Sequence, residues 1–402
     1  MAQLISIDDL TQKKPLNPNG FALFELAFRP FFLLGNLFAL LAIIPWILAV
    51  HGALTLPQLS TWWHAHEMIF GFTLAIILGF LLTAAQTWTG VPSVRGRWLA
   101  LFVALWLLPR IGLVFLPSVP LAIWATSDFL CHLGAWCVLA RMIVKVKQWR
   151  NAPFLALLLL FALLSLASYW ANGYTQASGQ IAWISRIHYA SVGVIAVVLN
   201  LMGGRVIPAF TQNATKYGRK PESPWLLRLS NTGLLLMAVF WLLDTPMAVQ
   251  IAAGLTALVL FYRWHGWGWY ATRSNPLLWS LHLSFVCLPL ACALLAFGYP
   301  ASGALHVLTV GAIAGLIVAM TSRVALGHTG RMLKAPRWMS LAYGLMFVAA
   351  LLRGLAGLIH VWPRAYLPLI DAAMLCWVMA LLIFLLYYTR ILLRPRLDGK
   401  PG

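Results

Sequence analysis

Apolar positions in this chain gather into long uninterrupted runs, and the length of those runs predicts the elements. A helix needs about 20 consecutive apolar residues to cross the hydrocarbon of a bilayer. Runs of that size fall at 28–50, 62–86, 98–116, 119–144, 152–172, 183–207, 225–243, 247–265, 276–297, 301–325, 337–361 and 366–392. They are rich in Leu, Ala, Ile and Phe and lack the short alternation of an outer-membrane barrel strand. The expected fold is an all-α integral membrane protein of twelve transmembrane helices. A polar tail over 1–27 carries Asp8, Asp9, Lys13, Lys14, Pro15 and Pro18, without the basic start and short apolar core of a signal peptide. A second short tail covers 393–402.

Composition narrows the class. Hydrophobic residues make up 62% of the 402 and charged residues 9%, where a soluble domain carries about 25% charged. A soluble enzyme, a disordered chain and a disulfide mini-protein are excluded. The net charge of +19 would suggest nucleic acid in a soluble protein. Here 24 of the 28 Lys and Arg fall on one side of the membrane if the N-terminus is cytoplasmic, leaving Arg110, Arg186, Arg353 and Arg364. That asymmetry predicts both termini inside and makes a nucleic-acid partner unnecessary. The five cysteines lie in apolar runs without CxxC spacing and read as small buried hydrophobes.

The second, sixth and tenth spans overlay without gaps. They read His66-Glu-Met-Ile-Phe-Gly71, His188-Tyr-Ala-Ser-Val-Gly193 and His306-Val-Leu-Thr-Val-Gly311. Thr89, Thr211 and Thr329 follow at a constant distance, and two of the three spans carry an Arg-Val pair at Arg205 and Arg323. A second echo places Arg110 eighteen residues before Asp128 and Arg353 eighteen before Asp371. The favoured grouping is three pseudo-threefold four-helix modules, at about 28–144, 152–265 and 276–392.

The same overlay puts His66, His188 and His306 at one depth, near the outer end of their helices, with His64 beside them. Neutral imidazole tolerates a low-dielectric site and is a common ligand for copper, iron and zinc. One such histidine would ordinarily be an interfacial side chain; four at one level favour a metal. With no nearby Cys and only Glu67 as a carboxylate, copper or haem iron is favoured over structural zinc. His64 and His66 lie about 200° apart on a regular helix, so they cannot both face one ion. Arg110, Arg186 and Arg353 are costly in the membrane unless paired. Asp128 and Asp371, or haem propionates, are their candidate partners. His282 and His328, near the inner ends of spans nine and ten, form a weaker second site. P-loop, HExxH and GxSxG patterns are absent from the sequence.

Several strings, Phe28-Arg-Pro-Phe-Phe-Leu, Trp63-His-Ala-His-Glu-Met, Gly204-Arg-Val-Ile-Pro and Arg323-Val-Ala-Leu-Gly-His-Thr-Gly-Arg331, resemble the NnrS family of bacterial inner-membrane proteins. The resemblance runs from about Phe28 to the end of span twelve. It implies a protein containing haem, expected to be of b type, and copper, linked to nitric oxide metabolism and relief of nitrosative stress. His64, His66, Arg205, Arg323 and His328 fall in the family-like strings. The twelve-span layout with histidines on spans two, six and ten also resembles the catalytic subunit of haem-copper oxidases. That likeness is architectural, because span seven here has no His and span ten has only His306 before its inner end. The expected function is binding, with or without reduction, of nitric oxide or a related nitrogen oxide, fed by a quinol or other electron donor. A secondary transporter with internal repeats and a metal-loaded sensor or maturation partner are the alternatives.

Overall fold

A computed structural model describes residues 20–215, 217–218 and 223–399; most of the N-terminal tail, with Asp8 to Pro18, lies outside them. Within the described residues the chain is helical and contains no strand. Among the described residues, twelve helices are long and apolar enough to cross a membrane: α1 (Phe28–Val50), α2 (Thr61–Thr89), α3 (Gly96–Phe115), α4 (Leu121–Lys145), α5 (Trp149–Ser178), α6 (Ala182–Thr215), α7 (Pro224–Leu242), α8 (Pro246–His265), α9 (Pro276–Ala296), α10 (Ala301–His328), α11 (Arg337–Leu358) and α12 (Pro363–Leu393). The protein is a multi-pass membrane protein.

Burial separates these helices into two kinds. In α2, α6 and α10 the share of the apolar window buried inside the protein is 78, 83 and 78%, against 22–67% in the other nine. Three helices therefore form the centre, and the rest surround them with one face left for lipid. Outer helices pack on one another, including α4 on α5, α8 on α9, and α12 back on α1.

The repeated glycine has a physical reason. A Cβ on Gly71 would stand 2.9 Å from Phe38 of α1, one on Gly193 2.9 Å from the Ala238 Cβ of α7, and one on Gly311 2.7 Å from Cys287 Sγ of α9. Each central helix thus meets a neighbour at its repeated glycine, the small-residue contact by which membrane helices approach closely. The repeated threonines share a role too. Thr89, Thr211 and Thr329 donate to the carbonyls of Ala85, Ile207 and Ala325, four residues back, at 2.6, 3.0 and 2.6 Å.

Two of the central helices change pitch just past their histidine. Glu67–Thr73 in α2 and Val307–Ala314 in α10 are π-helical, whereas α6 stays α-helical throughout. A widened turn frees a carbonyl from its usual partner. In α2, Trp106 of α3 donates to Gly71 O at 2.8 Å, and Thr73 Oγ1 donates to Met68 O, five residues back, at 2.8 Å. Such segments concentrate at functional sites.

The far end is fastened by the other family-like strings. Arg29 Nη1 donates to the carbonyls of Leu392 and Arg394 at 3.0 and 2.6 Å, and Ala22 N donates to Leu393 O at 2.9 Å. Arg396 donates to His328 O at 3.0 Å, and the His328 ring packs 5.5 Å from Phe28. The first and last helices are tied together there by charge-assisted bonds to helix-terminal carbonyls.

Candidate functional site

At the end of the bundle where α2, α6 and α10 begin or carry their histidines, the three helices part around a cavity of about 460 Å³. α1, α11 and α12 complete its wall. Most of the lining is apolar, including Ile43, Trp46, Phe72, Ile313 and Trp377, and into this surface project His64, His188, His306 and Arg353.

The three imidazoles are held differently. His64 stacks on Trp46, rings 4.6 Å apart and 8° from parallel, and its buried Nδ1 has no hydrogen-bond partner. His306 Nδ1 lies 2.6 Å from the Ser302 carbonyl, four residues back. A carbonyl only accepts, so Nδ1 carries the hydrogen and Nε2 keeps the lone pair. His188 Nε2 is 2.8 Å from Ser168 Oγ on α5.

His66 does not line the cavity. It is wholly buried behind it, stacked on Trp62, with Nδ1 3.0 Å from Ser168 Oγ and Nε2 3.7 Å from Asp128 Oδ2. Beyond it lies a buried charge cluster. Arg110 grips Asp128 through two parallel bonds of 2.9 and 2.7 Å, and its Nε is 2.7 Å from Glu67 Oε2. Tyr169 donates to Asp128 Oδ2 at 2.7 Å. This is the fork geometry that makes Arg the usual partner of buried carboxylates.

The second Arg–Asp echo resolves otherwise. Asp371 is bonded to His51 Nε2 at 2.8 Å, and Arg353 is left on the cavity wall with a buried Nη1 that has no hydrogen-bond partner. Arg186 stands apart from the cavity, 2.5 Å from Asp244 and over the Trp183 ring. His282 bonds Thr211 Oγ1 at 2.9 Å between α9 and α6, and His328 belongs to the fastening at the far end. Among the described residues no three His, Cys, Asp or Glu converge as a ready metal cluster. The cavity histidines line a wall and do not surround one point.

Sequence reasoning did not single out Ser168, Tyr169, Trp46 or Tyr366. Ser168 is one hydroxyl in a Leu- and Ala-rich helix, and nothing in its spacing distinguishes it from a residue that bonds its own backbone. Trp46 and Tyr366 resemble the interfacial aromatics common at helix ends.

The chemical content of the site is a large, mostly apolar chamber with two imidazoles that keep a free ring nitrogen, a third imidazole tied to a buried polar chain, and one arginine with an unbonded buried nitrogen. No curated protein matches the sequence. The profile of the family described as NnrS protein matches residues 22–396, nearly the whole chain, and the protein therefore belongs to the NnrS family.

Proposed function

We propose that the cavity holds haem and that the protein binds nitric oxide or a related nitrogen oxide there, as a redox protein protecting against nitrosative stress. The observation that carries this reading is the pairing of His64 and His306, each with a ring nitrogen free of hydrogen bonds, with Arg353, whose buried Nη1 has no hydrogen-bond partner, in a largely apolar chamber. Haem presents the complementary chemistry: an apolar macrocycle, an iron that takes one or two imidazoles, and propionates that seek a cation. His306 also has the outer support expected of a metal-bound histidine, its other ring N–H fixed by a carbonyl. When bound, haem supplies an iron that can take a diatomic nitrogen oxide and exchange an electron.

The chain's own part is to exclude water with Trp46, Phe72 and Trp377, to aim two imidazoles, and to offset negative charge with Arg353. Arg110 is held behind the cavity by two carboxylates and does not line it, and Arg186 also stands apart from the cavity. A three-ligand copper centre fits the described residues less well, because the three cavity imidazoles do not converge. The reading therefore rests on haem, with copper as an additional metal only where a ligand comes from outside this set. Family membership supports a bacterial inner-membrane location, and the basic-residue asymmetry supports an orientation with both termini cytoplasmic, which puts the cavity toward the outer face. A quinol or another donor would supply electrons.

Absorption spectroscopy of the purified protein tests the proposal. It expects a Soret band that shifts on addition of nitric oxide, and nitric oxide consumption with a quinol donor if the protein turns over. A shift without consumption would identify a sensor or maturation partner. A colourless protein that gains no Soret band on incubation with haem would leave a transporter with a charged substrate path.

A further inference from the structure

The hydroxyl of Ser168 meets three nitrogens. Trp62 Nε1 lies 3.0 Å away, His66 Nδ1 3.0 Å and His188 Nε2 2.8 Å. A serine hydroxyl has one hydrogen to give and two lone pairs to receive with. The indole can only donate, and its nitrogen lies 3.0 Å from both the hydroxyl and the carbonyl of Ser168. The hydroxyl has a single hydrogen for two imidazoles, so at least one histidine must donate to it.

Asp128 decides which. His66 Nε2 faces Asp128 Oδ2 at 3.7 Å, and that oxygen already receives Arg110 Nη2 and the Tyr169 hydroxyl. A nitrogen lone pair turned toward a carboxylate oxygen is repelled, whereas an N–H is attracted. Hydrogen on Nε2 leaves the lone pair of a neutral His66 on Nδ1, which then accepts from Ser168. Ser168 in turn accepts from His188 Nε2–H. A doubly protonated His66 would reverse the chain, but its Nε2 has no hydrogen bond at this distance. A buried cation without a bonded partner costs more than the neutral ring.

We infer that Ser168, ordered by Asp128 through His66, is a positioning residue that locks His188 in its Nε2–H tautomer, so that Nδ1 is the only nitrogen His188 can offer to a metal or a proton-bearing ligand in the cavity. His306 is locked the opposite way by Ser302 and offers Nε2. Two histidines at equivalent places in the repeat thus present different nitrogens. The difference arises because the Ser168 hydroxyl approaches the tip of one ring, while a backbone carbonyl approaches the base of the other. The repeat is preserved in sequence and broken in coordination chemistry.

The consequence for metal binding rests on the haem reading; the tautomer itself does not. Nitrogen-15 NMR of the full-length protein, labelled at histidine and prepared without added metal, reads each ring nitrogen as protonated or bare. His188 is assigned by the loss of its signals in His188→Ala. Wild type is expected to show His188 protonated at Nε2 and bare at Nδ1, with His66 likewise protonated only at Nε2. Ser168→Ala should turn the single His188 form into a mixture, its bias falling about fivefold or more, the size of one ordinary hydrogen bond. Ser168→Thr, which restores a hydroxyl, should bring the single form back. Should the threonine methyl prevent folding, wild type and Ser168→Ala alone decide. A His188 protonated at Nδ1, a His66 protonated at both nitrogens, or a tautomer unchanged in Ser168→Ala would each overturn the inference. None of these results depends on a Soret band, so failure here is distinct from failure of the haem reading.

Discussion

Replacing Arg110 by methionine keeps most of the side-chain volume and removes the cation that contacts the two buried carboxylates Asp128 and Glu67. Arg110 supplies both bonds to Asp128, at 2.9 and 2.7 Å, and the Nε contact of 2.7 Å to Glu67. After the change Asp128 retains only the Tyr169 hydroxyl among these partners, and Glu67 retains none of them. Removing one member of a buried pair costs about 3–5 kcal/mol, because the remaining charge stays buried and unpaired. A single contact of unit charges near 4 Å is worth about 4 kcal/mol at an effective dielectric of 20, so the two figures agree. The loss should lower the midpoint of thermal inactivation in detergent by on the order of 10 °C. Membrane proteins commonly unfold irreversibly, so the readout is the fraction of monodisperse protein surviving a fixed heating time. Removing the whole cluster should be far milder. The triple variant Arg110→Met, Asp128→Leu, Glu67→Gln buries no charge at this place and should recover at least half the loss. An Arg110→Met protein as heat-resistant as wild type would refute the reasoning, as would a triple variant weaker than the single one.

Two further outcomes follow from close packing and from the far-end fastening. Gly112→Ala would set its Cβ 2.4 Å from the Trp124 ring and should cost about 1–3 kcal/mol by overpacking, whereas Gly344→Ala, with nothing within 4 Å, should be neutral; heat inactivation of the two side by side measures the difference. Arg29→Ala removes the bonds to Leu392 and Arg394 that hold α12 against α1, so hydrogen exchange at the C-terminal end of α12 should rise about tenfold or more for about 1.5–3 kcal/mol of charged hydrogen bonding, with exchange in α6 unchanged.

The twelve spans were legible because a bilayer demands long apolar runs, and the predicted limits of 28–50 and 276–297 differ from the observed helices by a residue at most. The helices that run past their predicted ends, such as α6 to Thr215, do so in segments too polar to count as hydrocarbon-spanning. The repeated glycines and threonines stood out in the sequence because each glycine sits at a close helix contact and each threonine bonds the carbonyl four residues back. What the sequence could not settle is the direction in which each histidine points. Residues 64 and 66 are on opposite sides of α2, and equivalence to His188 and His306 selected His66. His66 and His306 both precede a π-helical segment, yet only His306 of the two lines the cavity, so equal spacing does not produce equal facing. It is His64 that joins the other two on the cavity wall. The arginines show the same limit: Arg110 and Arg353 share an 18-residue spacing to an aspartate, yet His51, remote in sequence, takes Asp371 and leaves Arg353 alone.

The central claim is that a metal-bearing macrocycle sits among His64, His306 and Arg353. Haem content per chain, measured on purified protein by pyridine haemochrome assay, tests it most directly across His64→Ala, His306→Ala, His282→Ala and His328→Ala. The account predicts that either of the first two variants loses most of the bound haem while the last two match wild type. Full haem retention in both His64→Ala and His306→Ala, or loss confined to His282→Ala or His328→Ala, would contradict it.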